Sequence, residues 1–342
     1  MDIRFGTADD LRRIRAFTHG YTEKNDFRAL FSFLLTLGVY LSGLIGTIWA
    51  LSTGQALWLP LWAALAAAGI IRLYVIQHDC GHLSYFSKKR WNVLAGHIAS
   101  LASLSPFSTM QFNHNRHHSH VGDLEHREDS EVHTMTLREW KDAGAGQRLF
   151  YRLYRNPFII IPIGALFTYF IRYRWPKNTL RVGWVGVVGH NLALALWLLA
   201  LWSFAGEAGL WAWFGTAFLA GMLGVFQVYL QHNFEETYWD RRPDLDPQLA
   251  ALQGSSALDL GWLWDLCTGN IAYHDLHHFN PRIPLYNLRR CHFDLGRDMP
   301  MHRIGWGEAL RAFRLKLWDE EANRLVPFPA AGIAQKTNVP AE

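Results

Sequence analysis

The sequence predicts an all-α integral membrane protein. It has four transmembrane helices in two hairpins, a re-entrant or interfacial segment, and a helical cap on the cytoplasmic side. Three observations lead there. Half of the 342 residues are hydrophobic, with 16 Trp and 21 Phe, rich for a soluble domain and suited to membrane interfaces. Apolar stretches run roughly over 29–51, 56–76, 157–171, 184–204 and 209–230. Basic residues are confined to alternate connections.

The first 28 residues are polar and charged and show no cleavable signal peptide. Within them, LRRIRAF reads as a short interfacial helix or as a solvated N-terminus. Helices of about 20 residues cross a ~30 Å hydrocarbon core, and four of the five stretches reach that length. The loops STGQ (52–55) and AGEA (205–208) hold no Lys or Arg, whereas 1–28, 77–156, 172–183 and 232–342 hold nearly all. The positive-inside rule puts those basic parts and both termini in the cytoplasm. A multi-pass protein of the bacterial inner membrane is expected.

The segment 157–171 is short and carries Pro162 and Gly164. One more crossing would make the number odd, so it enters and returns or lies in the interface. Residues 77–156 and 232–342 build the cap, and 1–342 reads as a single domain with a flexible tail at 326–342. The net charge of +4 suits anionic lipid or an acidic protein, and no nucleic-acid partner is expected. Cys80, Cys267 and Cys291 show no pairing pattern and read as reduced thiols.

Nine of the 17 histidines sit in four short places. They are His78 and His82 in HDCGH, His114, His117 and His118 in HNRHH, His232 in LQHNF, and His274, His277 and His278 in HDLHH. On a helix, positions i, i+3 and i+4 share one stripe. HxxxH thus offers two imidazoles to one centre and HxxHH three. Such an all-nitrogen set is enough for two metal ions, and imidazole suits Fe, Zn, Cu and Ni alike. His19, His97, His120, His126, His133, His190, His292 and His302 lack the spacing; His190 falls within a span and reads as a packing or hydrogen-bonding residue. A haem cytochrome would need His facing each other inside the spans. A metal transporter would need polar residues through them. Neither is seen.

These boxes and their surroundings resemble the membrane fatty acid desaturases, closest to the acyl-lipid omega-6 (delta-12) type. The stretches that carry the resemblance are HDCGHLSYFSKKRWNVLAGH, YRLYRNPFIIIP, YLQHNFEETYWDRRPDLD, GSSALDL and TGNIAYHDLHHFNPRIPLYNLRRCH, within roughly 30–300. The resemblance implies a mushroom-shaped helical membrane protein with two non-haem irons under a cytoplasmic cap. It also implies O2 as co-substrate and a fatty acyl or membrane lipid substrate that gains a cis double bond.

By position, it implies as iron ligands His78, His82, His114, His117, His118, His232, His274, His277 and His278. Some relatives also use an Asn one turn before the His that follows the last span, and Val228 stands there here. Asp79, Asn270, Glu235, Glu236 and Asp275 neighbour the ligands. Carboxylates so placed accept the distal imidazole N–H, though surface pairing explains them as well. Gly81 leaves the ligands uncrowded, and Cys80 reads as packing. The electrons must come from a separate donor, a ferredoxin or a cytochrome b5-like protein, attracted to the basic cap. Two other functions remain open here: a hydroxylase or ketolase on the same di-iron site, and a non-catalytic membrane metal-binding protein.

Overall fold

Small residues bring the first two long helices together. The computed structural model describes residues 7–174, 182–299 and 301–330. Residues 175–181 of the basic stretch and 331–342 of the expected tail lie outside the described residues. After α1 (Ala8–His19) come α2 (Asp26–Ser52) and α3 (Leu59–Gly81). Asn25 caps α2 by accepting from the Arg28 N–H, and Pro60 occupies the first turn of α3. A Cβ on Gly43 would strike the Ala66 backbone, one on Gly46 the Trp62 ring, and one on Gly69 would lie 2.7 Å from Tyr40 Cα. The three contacts run in opposite directions along the two chains, so the helices are an antiparallel hairpin at backbone contact, as small residues permit in apolar surroundings.

Next come α4 (Lys89–Ser103), α5 (Phe107–His120), α6 (Leu137–Asp142), α7 (Ala145–Tyr154) and α8 (Pro157–Ala165). From α8 the chain continues through a π-helical stretch, Leu166–Ile171. The helix Trp184–His232, α9, is broken at Gly206 (φ 57°, ψ −143°). A Cβ on Gly209 would sit 2.7 Å from the Leu201 carbonyl oxygen. Eight residues of straight helix span about 12 Å, so the arms 184–205 and 207–232 fold back on each other. The expected loop 205–208 is thus a turn at one glycine.

Segment 157–171 lies along the second arm of α9. Gly164 faces Val225, and Phe170 packs its ring against Trp213 and Phe214. It is bent by 70° from α7. On length and apolar composition, Asp26–Ser52, Leu59–Gly81 and Trp184–His232 qualify as membrane-crossing helices.

After α9 come α10 (Pro247–Gln253), α11 (Trp262–Cys267), α12 (His274–Phe279), α13 (Leu285–Leu295) and α14 (Trp306–Ala312). The all-α expectation needs one correction. Two small sheets stand among the helices: β1 (Met135–Thr136) with β4 (Leu317–Asp319) and β5 (Arg324–Val326), and β2 (Ala257–Leu258) with β3 (Arg303–Ile304). Strands of two or three residues carry no alternation to read. The N-terminal helix α1 packs against α13. Leu11, Ile14 and Thr18 are buried, and Asn280 donates to the Thr18 hydroxyl.

Candidate metal centre

Four helices deliver the nine histidines. Helix α3 runs beyond the apolar stretch 56–76 to Gly81, so His78 lies on its last turn and His82 is its C-cap. Helix α5 carries His114, His117 and His118, α9 ends on His232, and α12 carries His274, His277 and His278. The ring nitrogens gather into two groups, each with its nitrogens within 4.8 Å of one another. One holds His78, His82, His114, His118 and His277; the other His117, His232, His274 and His278.

The partition cuts across the boxes. Successive helical residues point about 100° apart, so the i+3 and i+4 imidazoles of each HxxHH diverge. His114 and His118 serve one group and His117 the other; His274 and His278 serve one and His277 the other. The single-stripe expectation is corrected on this point.

The nitrogen geometry fits metal ions. His118 Nε2 lies 2.8 Å from His114 Nε2 and 3.2 Å from His277 Nε2, and His274 and His278 bring Nε2 to Nε2 at 3.0 Å. Two imidazoles about 2.1 Å from one ion and at right angles stand about 3.0 Å apart. The Nε2 atoms of His78, His82, His117 and His232 are buried without a hydrogen-bond partner, which costs free energy unless something binds there. The backbone fixes two of the rings: His117 donates from Nδ1 to the Asp129 carbonyl at 3.3 Å, and His232 to that of Gly254 at 3.1 Å. Each therefore keeps its Nε2 lone pair inward. Burial pushes the His117 imidazole down to about 4 and those of His114, His118, His274, His277 and His278 well below their ordinary range. They stay neutral, the form that ligates.

Of the neighbouring polar residues, Asp79 alone touches a ligand ring. Its Oδ1 is 3.4 Å from His78 Nδ1, while Oδ2 accepts the Leu285 N–H at 2.6 Å. Asp275 is buried but faces His292, 3.7 Å away. Glu235 pairs with Arg324 at the surface, and Glu236 lines a shallow recess beside Asp275. Asn270 takes left-handed backbone (φ 66°) and donates to the Leu285 carbonyl, as a turn residue does. A Cβ on Gly81 would find nothing nearer than 3.7 Å, so crowding does not explain that glycine. Cys80 is fully buried in the core, and the three cysteines are unpaired. His190 donates from Nε2 to the Ser100 carbonyl at 2.9 Å and accepts from Arg174 at 3.1 Å. His120 bonds Asp129 and stacks on His126.

A cavity adjoins both histidine groups. Five of the nine ligand candidates line it, together with Ile71, Tyr74, Tyr169, Gln227 and Val228. The exposed Glu131 stands at its rim. A second cavity between α3, α4 and α9 shares Ile71, Tyr74, Tyr169 and Gly224 with it. The rings of Tyr74 and Tyr169 meet edge to face, centroids 6.1 Å apart, and line both cavities. Tyr74 could have been found, since it stands one turn before His78; Glu131, Tyr169 and Gln227 have no signal of that kind. Arg155 was also missed. It is fully buried and holds α7, the end of α9 and the C-terminal segment together through Tyr151, Asn233 and the Leu315 carbonyl.

The family described as "Fatty acid desaturase" matches residues 56–309. A "Fatty acid desaturase" of Bacillus subtilis is 30% identical over 321 residues, covering 93% of this chain and 90% of its own length. An "sn-1 oleoyl-lipid 12-desaturase" of Synechocystis sp. is 30% identical over 316 residues, 87% and 83% of the two chains. An "sn-1 acyl-lipid omega-3 desaturase (ferredoxin)" of Nostoc sp. is 28% identical over 271 residues, 72% and 70%.

Proposed function

The chain belongs to the fatty acid desaturase family, and from that premise we propose how its residues carry the reaction. It is a fatty acyl desaturase, an oxidoreductase of lipid metabolism in a membrane, with a lipid substrate and an electron donor. Our reading is that it inserts a cis double bond into an acyl chain esterified to membrane lipid, in the manner of the omega-6 (delta-12) type. The relatives named for oleoyl-lipid support that choice of carrier. We read the nine histidines as the ligands of two irons, one in each nitrogen group. Iron bound there would supply what no side chain can, the oxidation of an unactivated C–H bond by O2.

The remaining tasks fall to the protein. The Asp129 and Gly254 carbonyls hold the tautomers of His117 and His232. The cavity lined by Ile71, Tyr74 and Tyr169 offers an acyl chain an apolar, water-poor path to the histidines. In this reading α2, α3 and both arms of α9 span the bilayer, 157–171 enters and returns or lies in the interface, and one domain places its cap in the cytoplasm. A separate ferredoxin or cytochrome b5-like protein delivers the electrons, and the ferredoxin-named relative favours the former.

The observation that carries the proposal is the meeting of two buried imidazole groups with one apolar cavity. The test is expression in a host without polyunsaturated lipids, followed by fatty acid analysis. A new cis double bond is expected. A hydroxylated product would overturn the reading in favour of a hydroxylase.

A further inference from the structure

Lys24, Arg28 and Arg290 converge on a recess of about 470 Å3 that the metal centre does not use. They come from three parts of the chain: the loop before α2, the first turn of α2, and α13. Glu23 is the one carboxylate in the lining, while Asp294 engages Arg290 and Asp26 lies close enough to Lys24 to feel its charge. Tyr286 and Asn287 line the same recess and hold Arg28. Its guanidinium donates to Asn287 Oδ1 at 3.3 Å and the Tyr286 carbonyl at 3.2 Å, and lies 5.1 Å over the Tyr286 ring. Arg290 meets Asp294 at 3.3 Å with its side chain largely exposed. Lys24 makes no hydrogen bond or ion pair among the described residues, and the nearby Asp26 is taken by the Ser87 N–H and hydroxyl.

The surface changes character one turn further on. Phe27 is 79% exposed, and Leu30 and Phe31 follow it on the outer face of α2. A cationic recess above an apolar helix face suits an amphiphile with an anionic head. We propose that this recess binds the headgroup phosphate of an anionic phospholipid, with the acyl tails along Phe27, Leu30 and Phe31. The proposal rests on α2 being a membrane-spanning helix. A zwitterionic head brings its own cation to the cluster and binds more weakly. The bound head ties the loop before α2 to α13. Helix α13 in turn donates the Leu285 N–H to Asp79, beside His78, so occupancy stiffens the seat of the metal centre.

The test is thermal unfolding of the full-length, detergent-solubilised and delipidated protein. It is titrated separately with phosphatidylglycerol, phosphatidylcholine and inorganic phosphate. Phosphatidylglycerol is expected to raise Tm saturably, and the other two are not. Lys24→Gln, which breaks no hydrogen bond or ion pair among the described residues, is expected to weaken the apparent affinity about fivefold, and K24Q/R28Q/R290Q together to abolish the response. Equal shifts with phosphatidylcholine or phosphate, no shift with phosphatidylglycerol, or an undiminished response in Lys24→Gln would each overturn the proposal. The single variant decides if the triple variant fails to fold. Release of the protein from membranes by alkaline carbonate would instead overturn the spanning reading of α2 itself.

Discussion

The imidazoles of His118 and His278 stack face to face, 12° from parallel with centroids 4.1 Å apart, although they belong to different nitrogen groups. The two groups therefore share a wall, and ions held in them would be neighbours. Under the di-iron reading neither ring is dispensable. His118→Ala and His278→Ala are each expected to lower desaturation by at least ~100-fold, beyond the usual effect of losing a supporting contact. Both variants should remain in the membrane fraction. Acyl analysis and membrane fractionation together check this, and full activity in either variant contradicts the ligand assignment.

The boundary shared by the two cavities makes a prediction about the product. Tyr169 stands there, and its hydroxyl would lie 3.2 Å from a Cβ on Gly224. Tyr169→Ala opens that boundary and is expected to shift the preferred chain length or the bond position. Gly224→Leu pushes into the same space and is expected to lower turnover roughly tenfold through overpacking. Gas chromatography of the fatty acid esters measures both. An unchanged product profile in Tyr169→Ala would show that the boundary is not on the acyl path.

How much of this was legible beforehand differs by feature. The long helices were, because twenty-residue apolar runs and loops without Lys or Arg are written in order along the chain: 29–51 and 56–76 lie within Asp26–Ser52 and close to Leu59–Gly81. The histidine boxes were visible through their spacing. Their partition was not, because the division of His117 from His118, and of His277 from His278, depends on how α5 and α12 face each other. Residues that act by tertiary contact left no local signal. Tyr169 meets Tyr74 across 95 positions, and Arg155 reaches Asn233 across 78. Asn270 and Glu235 show the converse: near a histidine box in sequence, their side chains bond elsewhere, to the Leu285 carbonyl and to Arg324.

Arg155 supplies a stability prediction. Its buried guanidinium serves Thr134 and Tyr151, and the carbonyls of His133 and Leu315. Arg155→Met removes the donor to the His133 carbonyl and to the Thr134 hydroxyl and leaves the Tyr151 hydroxyl and the Leu315 carbonyl to their remaining partners, Met135, Lys316 and Asn233, and is expected to cost about 3 kcal/mol. A fall in Tm with reduced yield of solubilised protein is the readout. An unaltered Tm would mean that the network is replaceable.

The α2–α3 contact predicts a failure of assembly. A side chain at Gly43 meets the Ala66 backbone, which cannot yield as a flexible side chain does. Gly43→Val is expected to destabilise the hairpin by roughly 1–3 kcal/mol, whereas Gly38→Val, where a Cβ meets nothing within 4 Å, should be neutral. Paired melting curves of the two variants test this.

The most direct test of the two-site account is the iron content of the purified protein. Two irons per chain are expected in the wild type. His82→Ala should lose the ion of the five-histidine group and His274→Ala that of the four-histidine group, leaving about one iron in each variant. One iron or none in active wild-type protein, or two in either variant, would contradict the account.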